Sequence, residues 1–268
     1  MPRILSDLHL LDVASRITSP ASLEPLASGV DELILNGDTC ETQVGLSRSR
    51  VNALLDDLKR LAPHVTLISG NHDPDIDGPA ECELAEGRVW VTHGDILFPD
   101  LTPWGRIRPV LRERVQAQRA TLGETAWQDL AIRLHAYREV CIDLPHELDR
   151  TQRSLGAKLA RFSRTFFPPT QVLGMFNAWR TAAPRARELA ARHRPKAQII
   201  VNGHIHFPFV SCLSGRPTVI NTGSFSRPFG ALLVDVTPGI VTVRRIAEKD
   251  GRFQPGRVVA EIPLAETR

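Results

Sequence analysis

The sequence predicts an α/β fold in which a largely parallel β-sheet is joined by a second sheet layer and interrupted by a long helical insertion. Three observations support this prediction. Short aliphatic runs alternate with helical patterns up to residue 98, which is typical of stacked βαβ units. Proline-punctuated helical patterns fill residues 99–195. Short apolar runs separated by turn residues return after residue 196.

The predicted elements follow one another at short intervals. In the N-terminal part, strands are expected at residues 3–6, 32–36, 65–68 and 89–92. A short helix is expected near residues 22–29. A longer amphipathic helix is expected at residues 46–61, because valine and leucine recur there at three- and four-residue spacing until Pro63. After the insertion, strands are expected at residues 198–201, 217–221, 231–235 and 240–246.

Residues 99–195 differ from the rest of the chain in composition. Nine of the fifteen aromatic residues lie between Phe98 and Trp179. Residues 101–195 contain 17 Lys/Arg and 8 Asp/Glu, whereas the remainder contains 16 and 22. Four or five helices are expected between breakers: Pro103, Gly123, Pro145, Pro168, Pro169 and Pro184. We therefore expect residues 1–98 and 196–268 to form one domain suited to cations. Residues 99–195 would form an inserted, basic, aromatic-rich helical cap, whose arginines either suit an anionic substrate or surface or are simply solvated helix surface.

The overall composition is that of an ordinary soluble globular protein, with 42% hydrophobic and 24% charged residues. The four cysteines are scattered without a Cys-x-x-Cys spacing, so reduced thiols are expected. The chain enters a predicted strand at once, which leaves no room for a signal peptide, and it has no apolar stretch of about 18 residues. A cytoplasmic location is therefore expected.

Five short blocks rich in histidine and aspartate each follow a predicted strand. They are Asp7-Leu8-His9, Gly37-Asp38, Gly70-Asn71-His72-Asp73, His93-Gly94-Asp95 and Gly203-His204-Ile205-His206. Because open α/β sheets place their ligand crevice at the carboxyl ends of strands, these blocks are expected to meet. Two divalent cations about 3.5–4 Å apart need imidazoles and a bridging carboxylate. Asp38 is the expected bridge, since Gly37 allows a sharp turn before it.

The blocks divide into two expected ligand sets. One cation would be bound by Asp7, His9, Asp38 and His206. The other would be bound by Asp38, Asn71, His93 and His204. His204 and His206 can reach one cation each if their loop diverges from extended geometry, and the Asn71 carbonyl adds no charge that would repel a phosphate. Mixed ligation accepts manganese, iron or zinc, and we expect manganese.

The ordered set of blocks resembles the calcineurin-like metallophosphoesterase superfamily, over roughly residues 1–98 and 196–235. The resemblance implies a two-sheet β-sandwich flanked by helices, and a dinuclear phosphodiesterase or pyrophosphatase that uses a two-metal-activated hydroxide. It also implies that Asn71 and His72 bind the substrate, and that His72 binds the scissile phosphate or protonates the leaving group. Glu41, three residues after Asp38, is expected to orient His72. Asn221-Thr222-Gly223-Ser224 resembles a structural turn of the family.

The insertion resembles that of UDP-2,3-diacylglucosamine pyrophosphatases, which implies a lipid-linked nucleotide diphosphate as substrate and peripheral contact with the inner membrane. One aromatic stretch would suit acyl chains: Phe162, Phe166, Phe167, Val172, Leu173, Met175, Phe176 and Trp179. It is flanked by Arg161, Arg164 and Arg180. The other interpretation is that these side chains form the core of the cap. The chain departs from that branch at His72, where an arginine is usual.

Two alternatives belong to other functional classes. DNA-repair nucleases of the superfamily share Gly-Asn-His-Asp and Gly-His-Ile-His, and a basic insertion could follow a nucleic-acid backbone. A non-enzymatic scaffold is the third interpretation, because the fold is reused in protein assembly. The complete ligand set and His72 favour an enzyme acting on an anionic, phosphate-containing substrate. The sequence leaves the oligomeric state open.

Overall fold

The computed structural model describes residues 1–42, 48–103, 105, 107–142, 144 and 169–265. Its strands are β1 Pro2–Leu5, β2 Glu32–Asn36, β3 His64–Ile68, β4 Glu81–Leu84, β5 Val89–Thr92, β6 Ile199–Asn202, β7 Phe209–Leu213, β8 Arg216–Asn221, β9 Leu232–Thr237, β10 Ile240–Lys249 and β11 Arg252–Pro263. Its helices are α1 Glu24–Ala27, α2 Arg48–Lys59, α3 Arg108–Trp127, α4 Leu130–Cys141 and α5 Pro169–His193. Short 3-10 turns cover Pro20–Leu23 and Asp95–Leu97.

The strands form two mixed sheets, ordered β11-β10-β9-β1-β2-β3 and β4-β5-β6-β8-β7. Parallel pairs occupy one part of each sheet, β1-β2-β3 in the first and β5-β6-β8 in the second, whereas the other pairs are antiparallel. The parallel pairing expected from the N-terminal strand–helix alternation is present in β1-β2-β3, but each sheet as a whole is mixed rather than largely parallel. Tight turns at Pro238-Gly239 and Asp250-Gly251 join β9, β10 and β11, and strands joined so closely can only be antiparallel.

All eight predicted strands are present, and the structure adds β4, β7 and β11, which the sequence pattern does not predict. β4 alternates glutamate with cysteine and leucine, and β7 follows Pro208, so both lack a long apolar run. β11 contains Pro255 and Gly256, which normally indicate the end of a strand. Proline is tolerated there because β11 is an edge strand and its pairing with β10 shifts register near Arg244.

Alternating side chains of the strands build three separate apolar layers. Ile34 and Val91 lie in the layer between the two sheets. Leu33, on the opposite face of β2, packs with α1 and α2. Trp90, on the opposite face of β5, packs with α3, α4 and α5. This arrangement confirms the expected two-sheet sandwich flanked by helices, because a side-chain period of two places successive residues on opposite faces.

The described part of the insertion consists of α3, α4 and α5. Gly123 breaks α3 as expected, with φ 79° and ψ 159°. Pro184, which the sequence pattern places between two helices, lies instead inside α5. The helix continues because Ala182 and Ala186 pack on the second sheet, and this burial offsets the roughly 3 kcal/mol cost of an interior proline. Pro145 and Pro168 lie outside the described residues. The division into a catalytic domain and a cap stays a prediction.

Two further expectations concern the cysteines and the membrane. All four cysteines are free, and Cys40 and Cys141 are buried. Across the described ranges, no helix has the length and apolarity needed to cross a bilayer.

A buried ion pair ties β1 to β9. Arg3 donates to both carboxylate oxygens of Asp235, at 2.6 and 3.0 Å, and to the carbonyl oxygen of Leu26 at 2.6 Å. We expect Asp235→Ala to lower the free energy of unfolding by about 3–5 kcal/mol, because it leaves a buried guanidinium without its counter-charge. Urea denaturation measures this change.

The matched control is Glu24→Ala. Glu24 accepts from Arg252 at 2.6 Å, but both side chains are more than half exposed. Loss of this exposed ion pair should lower the free energy of unfolding by only about 0–1 kcal/mol. Equal shifts of the two unfolding midpoints would show that burial does not strengthen the Arg3–Asp235 pair.

Candidate metal centre

The five blocks converge at the carboxyl ends of the parallel strands. His9 and His72 lie with Glu41 in one group of possible metal ligands. The histidines and aspartates of the blocks alone form two groups, Asp7-His9-Asp38-His206 and Asp38-His93-His204, whose ligand atoms within each group lie within 4.8 Å of one another. Asp38 belongs to both groups, as expected for a bridging carboxylate. The two histidines of the last block separate, one to each group, as their sequence spacing allows.

The distances between ligand atoms suit coordination of a common ion. His206 Nε2 lies 3.2 Å from Asp7 Oδ1 and 2.9 Å from His9 Nε2. In the other group, His93 Nε2 lies 3.3 Å from Asp38 Oδ2 and 3.3 Å from Asn71 Oδ1. Ligands about 2.1 Å from one ion are separated by about 3.0–3.4 Å at octahedral or tetrahedral angles. Both sets of donors therefore fit a divalent cation, and Asn71 lies close enough to His93 to share the second one, although its role as a ligand stays a prediction.

Outer hydrogen bonds leave one nitrogen of His93 and one of His204 facing the centre. His93 Nδ1 lies 3.1 Å from the carbonyl oxygen of Asn36, and His204 Nε2 lies 2.9 Å from that of Leu101. Because a carbonyl oxygen can only accept, these nitrogens carry the hydrogen. The opposite nitrogens, His93 Nε2 and His204 Nδ1, are then free to coordinate.

Glu41 holds two histidines at once. Its Oε2 lies 3.0 Å from His72 Nδ1, which is the predicted pair. Its Oε1 lies 2.9 Å from His9 Nδ1, a second contact that the sequence does not predict. The carboxylate accepts from both rings, so His9 Nε2 is left free to bind a cation and His72 Nε2 is left free of Glu41. Glu41 therefore couples a ligand of the first group to His72.

Asp73 has no role in the sequence prediction, and the structure gives it one. Its buried carboxylate accepts backbone N–H groups of Gly70 at 2.7 Å, Thr39 at 2.6 Å and Asp38 at 3.1 Å. These bonds join the loop after β3 to the loop after β2. Burial raises the pKa of Asp73 to about 7, and the charge of Asp38 adds to the rise. The position of Asp73, next to His72, is the signal in the sequence that could have indicated this role.

The small-residue turn supports the backbone of the centre. Asn221 donates to the carbonyl oxygen of Gly203 at 2.5 Å and to Asn202 Oδ1 at 2.8 Å. Ser224 Oγ donates to the carbonyl oxygen of Asp7 at 3.1 Å. The turn thus binds the ends of β1 and β6, two of the three strands that carry the first ligand group, in agreement with its structural interpretation.

Backbone strain is concentrated on the ligand residues. Asp7, His9, Asp38, His204 and His206 all adopt positive φ, between 49° and 69°. Such conformations cost about 1–3 kcal/mol each for residues other than glycine. Interlocking bonds hold them, since Asp7 N donates to the Gly37 carbonyl at 3.1 Å and His9 N to the Asp38 carbonyl at 2.9 Å. The surrounding hydrogen bonds thus stabilise strained backbone conformations that turn these side chains toward the centre.

Gly37 is required for two reasons. Its φ is 79°, which favours glycine, and a Cβ at this position would lie 2.3 Å from His93 Nδ1. The loop before Asp38 can therefore pass against His93 only without a side chain.

The ionisable groups of the centre strongly shift one another's pKa values. Burial alone would raise the pKa of Asp38, but the fields of His93 and His72 outweigh it and the pKa lies well below the usual range. Burial would lower the pKa of His93, whereas the Asp38 carboxylate raises it to about 10. A cation in the centre would replace the proton that His93 carries. Burial and repulsion from His93 lower the pKa of His204 to about 3, so it is already a neutral imidazole.

The centre opens to solvent on one side. The side chain of His206 is 36% exposed and that of His72 is 21% exposed, whereas Asp7, His9, Asp38 and His93 are almost completely buried. A substrate can therefore approach at His72 and His206.

Comparisons with known proteins complete this description. The calcineurin-like phosphoesterase family matches residues 4–208. A search of the curated proteins finds no match. Among solved structures, the chain is similar to a dimetal phosphatase from Danio rerio, with 11% identity, coverage of 98% of this chain and 97% of that chain, and a TM-score of 0.46. A predicted phosphoesterase from Streptococcus pneumoniae TIGR4 shows 15% identity, coverage of 98% and 97%, and a TM-score of 0.41. Vps29 complexed with zinc from Entamoeba histolytica shows 12% identity, coverage of 97% and 98%, and a TM-score of 0.43.

The family match spans most of the chain and includes all five blocks that build the centre. Its span and the two-sheet fold agree with the resemblance seen in the sequence. The chain belongs to the calcineurin-like phosphoesterase family.

Proposed function

We propose that the protein is a metal-dependent phosphoester hydrolase that acts on a phosphodiester or a diphosphate. The observation that carries the proposal is the pair of ligand groups that share Asp38, together with the outer hydrogen bonds that orient His9, His93 and His204. When bound, two divalent cations attract phosphoryl oxygens and activate water for attack. The set Asp7, His9, Asp38 and His206 would hold one cation, and Asp38, Asn71, His93 and His204 the other.

His72 is the residue proposed to act on the substrate itself. Its Nδ1 donates to Glu41, and its Nε2 lies 3.9 Å from Asp38 Oδ2, on the open side of the centre. There it can bind a phosphoryl oxygen or pass a proton to the leaving group, while Glu41 keeps the ring in this orientation. Asn71 is half-buried, with its Oδ1 3.3 Å from His93 Nε2, and in this proposal it contacts the substrate as well as the cation.

We expect His72→Ala to bind metal normally and to turn over at least about tenfold more slowly, because it removes a group used in the reaction rather than a ligand. Metal content and hydrolysis of bis(4-nitrophenyl) phosphate measure the two effects. His64→Ala is the matched control, because His64 lies exposed at the start of β3. A fully active His72→Ala variant would exclude the catalytic role.

A lipid-linked nucleotide diphosphate, such as UDP-2,3-diacylglucosamine, is the substrate that we propose. The support is an apolar surface beside the open side of the centre. Phe207 directly follows His206, and on α5 the side chains of Leu173 and Phe176 are 67% and 58% exposed. In this proposal the basic cap of residues 99–195 binds acyl chains at the cytoplasmic face of the inner membrane. Phe162, Phe166, Phe167, Arg161 and Arg164 lie outside the described residues.

The test is release of UMP from UDP-2,3-diacylglucosamine by the manganese-loaded protein, with Asp38→Asn as the blank. Rapid, metal-dependent release would support both the mechanism and the substrate. Cleavage of bis(4-nitrophenyl) phosphate alone would keep the mechanism and reject this substrate. Salt-dependent DNA binding with DNA cleavage would favour the nuclease alternative. Stoichiometric metal without hydrolysis of any phosphoester would favour a scaffold.

A further inference from the structure

Trp179 contacts the loop that carries two of the ligand histidines. Its Nε1–H donates to the carbonyl oxygen of Ile205 at 3.1 Å. Its ring stacks on Phe207, with centroids 4.6 Å apart and an interplanar angle of 20°. One side chain of α5 therefore holds the residue before His206 and the residue after it.

The surroundings of Trp179 protect these contacts. Phe229 packs edge-on against both Trp179 and Phe207, with centroids 5.3 Å away in each case. Phe176 packs edge-on against Trp179 at 5.1 Å. Aromatic pairs with this geometry are each worth about 0.5–1.5 kcal/mol beyond their buried area. Ring contacts on several sides therefore hold the indole of Trp179 in one position. From this position it holds the loop through Ile205 and Phe207.

His206 differs from the other ligand histidines in how it is held. His9, His93 and His204 each have an outer hydrogen bond, to Glu41, Asn36 and Leu101 respectively. Within the described ranges, His206 has contacts only toward the centre, with His9 and Asp7. It is also the most exposed of the four and adopts a φ of 54°. Its position therefore depends on its backbone.

We infer that Trp179 is a positioning residue that holds His206 in place for the cation bound by Asp7, His9, Asp38 and His206. The hydrogen bond fixes the peptide between Ile205 and His206, and the stack fixes the next side chain. The second ligand group does not depend on His206, and its histidines are held by main-chain carbonyls. Loss of Trp179 should therefore weaken one of two cation sites. This inference rests on the proposed two-cation function.

The experiment uses the full chain and two variants. Trp179→Phe removes the N–H donor and keeps an aromatic ring, whereas Trp179→Leu removes both contacts. Calorimetric titration with Mn²⁺ and metal content after dialysis measure the affinity of each site. We expect two bound ions in the original protein, and one affinity reduced about 10-fold in Trp179→Phe and about 100-fold in Trp179→Leu, as for loss of other outer-shell partners of metal ligands. The second affinity should stay unchanged.

Two further variants calibrate the result. His206→Ala should lose the same ion that the Trp179 variants bind weakly. Trp127→Phe changes a buried tryptophan of the same helical layer, whose ring packs on Tyr137, so both affinities should be retained. This control separates positioning from general loss of packing.

Several outcomes would overturn the inference. Unchanged affinities in Trp179→Leu with a raised KM would show that Trp179 contacts the substrate. Equal weakening of both sites, together with a lower melting temperature, would show a purely structural role. Absence of bound ions in the original protein would overturn the proposed function itself, so the two failures are distinguishable.

Discussion

Asp38→Asn is expected to abolish hydrolysis, with turnover reduced at least about 1,000-fold and both metal affinities lowered, because a single side chain belongs to both ligand groups. Asn retains the shape of Asp, but it offers one acceptor oxygen instead of two and carries no charge. Asp38 Oδ1 also accepts the backbone N–H of His72 at 2.9 Å, so the substitution also disturbs His72, the proposed catalytic residue. Metal content and diester hydrolysis measure the effect.

The control for this variant is Asp31→Asn. Asp31 pairs with the N-terminal amine and its side chain is 84% exposed, so the same chemical change should leave turnover intact. In the metal-free protein, Asp38→Asn removes a charge close to Asp73 and should fold normally. Near-normal turnover of a folded Asp38→Asn protein would remove Asp38 from the bridging position.

Gly203→Ala should inactivate the protein although it alters no ligand. A Cβ at Gly203 would lie 2.0 Å from Asp7 Oδ2 and 2.3 Å from Ser6 Oγ. Asp7 cannot move away freely, because its carboxylate accepts the N–H of His204 and the hydroxyl of Ser6. Displacement of the Asp7 carboxylate by about 1 Å should reduce the rate of hydrolysis roughly 100-fold. Overpacking by the added Cβ should lower the free energy of unfolding by about 1–3 kcal/mol. Turnover, metal content and urea denaturation measure these losses.

Gly239→Ala separates steric crowding at the centre from the general cost of replacing a glycine. Gly239 lies in the turn between β9 and β10, with φ 83° and no atom within 4 Å of the position that a Cβ would occupy. Alanine at this position should lower the free energy of unfolding by about 1–2 kcal/mol through backbone strain, and it should leave turnover unchanged. Equal activity of the Gly203 and Gly239 variants would contradict the tight approach of Gly203 to Asp7.

Most of the fold could be predicted because its signals are local. Apolar runs of four to six residues identified eight strands, and the spacing of Val51 and Leu58 identified α2. The antiparallel strands β4, β7 and β11 were not predicted, since β4 is half glutamate, β7 is a short run that follows Pro208, and β11 contains Pro255 and Gly256. Pairing with a neighbouring strand stabilises them, and this contribution is absent from the local pattern.

The candidate metal ligands could be identified from the sequence alone, because each histidine or aspartate block follows a strand whose end has a fixed place in the sheet. The tertiary structure decided how those ligands are held. Glu41 reaches His9 as well as His72, Asp73 binds the backbone of Asp38, and Trp179 binds Ile205. These contacts join residues far apart in the chain. They depend on how loops and α5 pack against the sheets. Residue spacing along the sequence does not specify this packing.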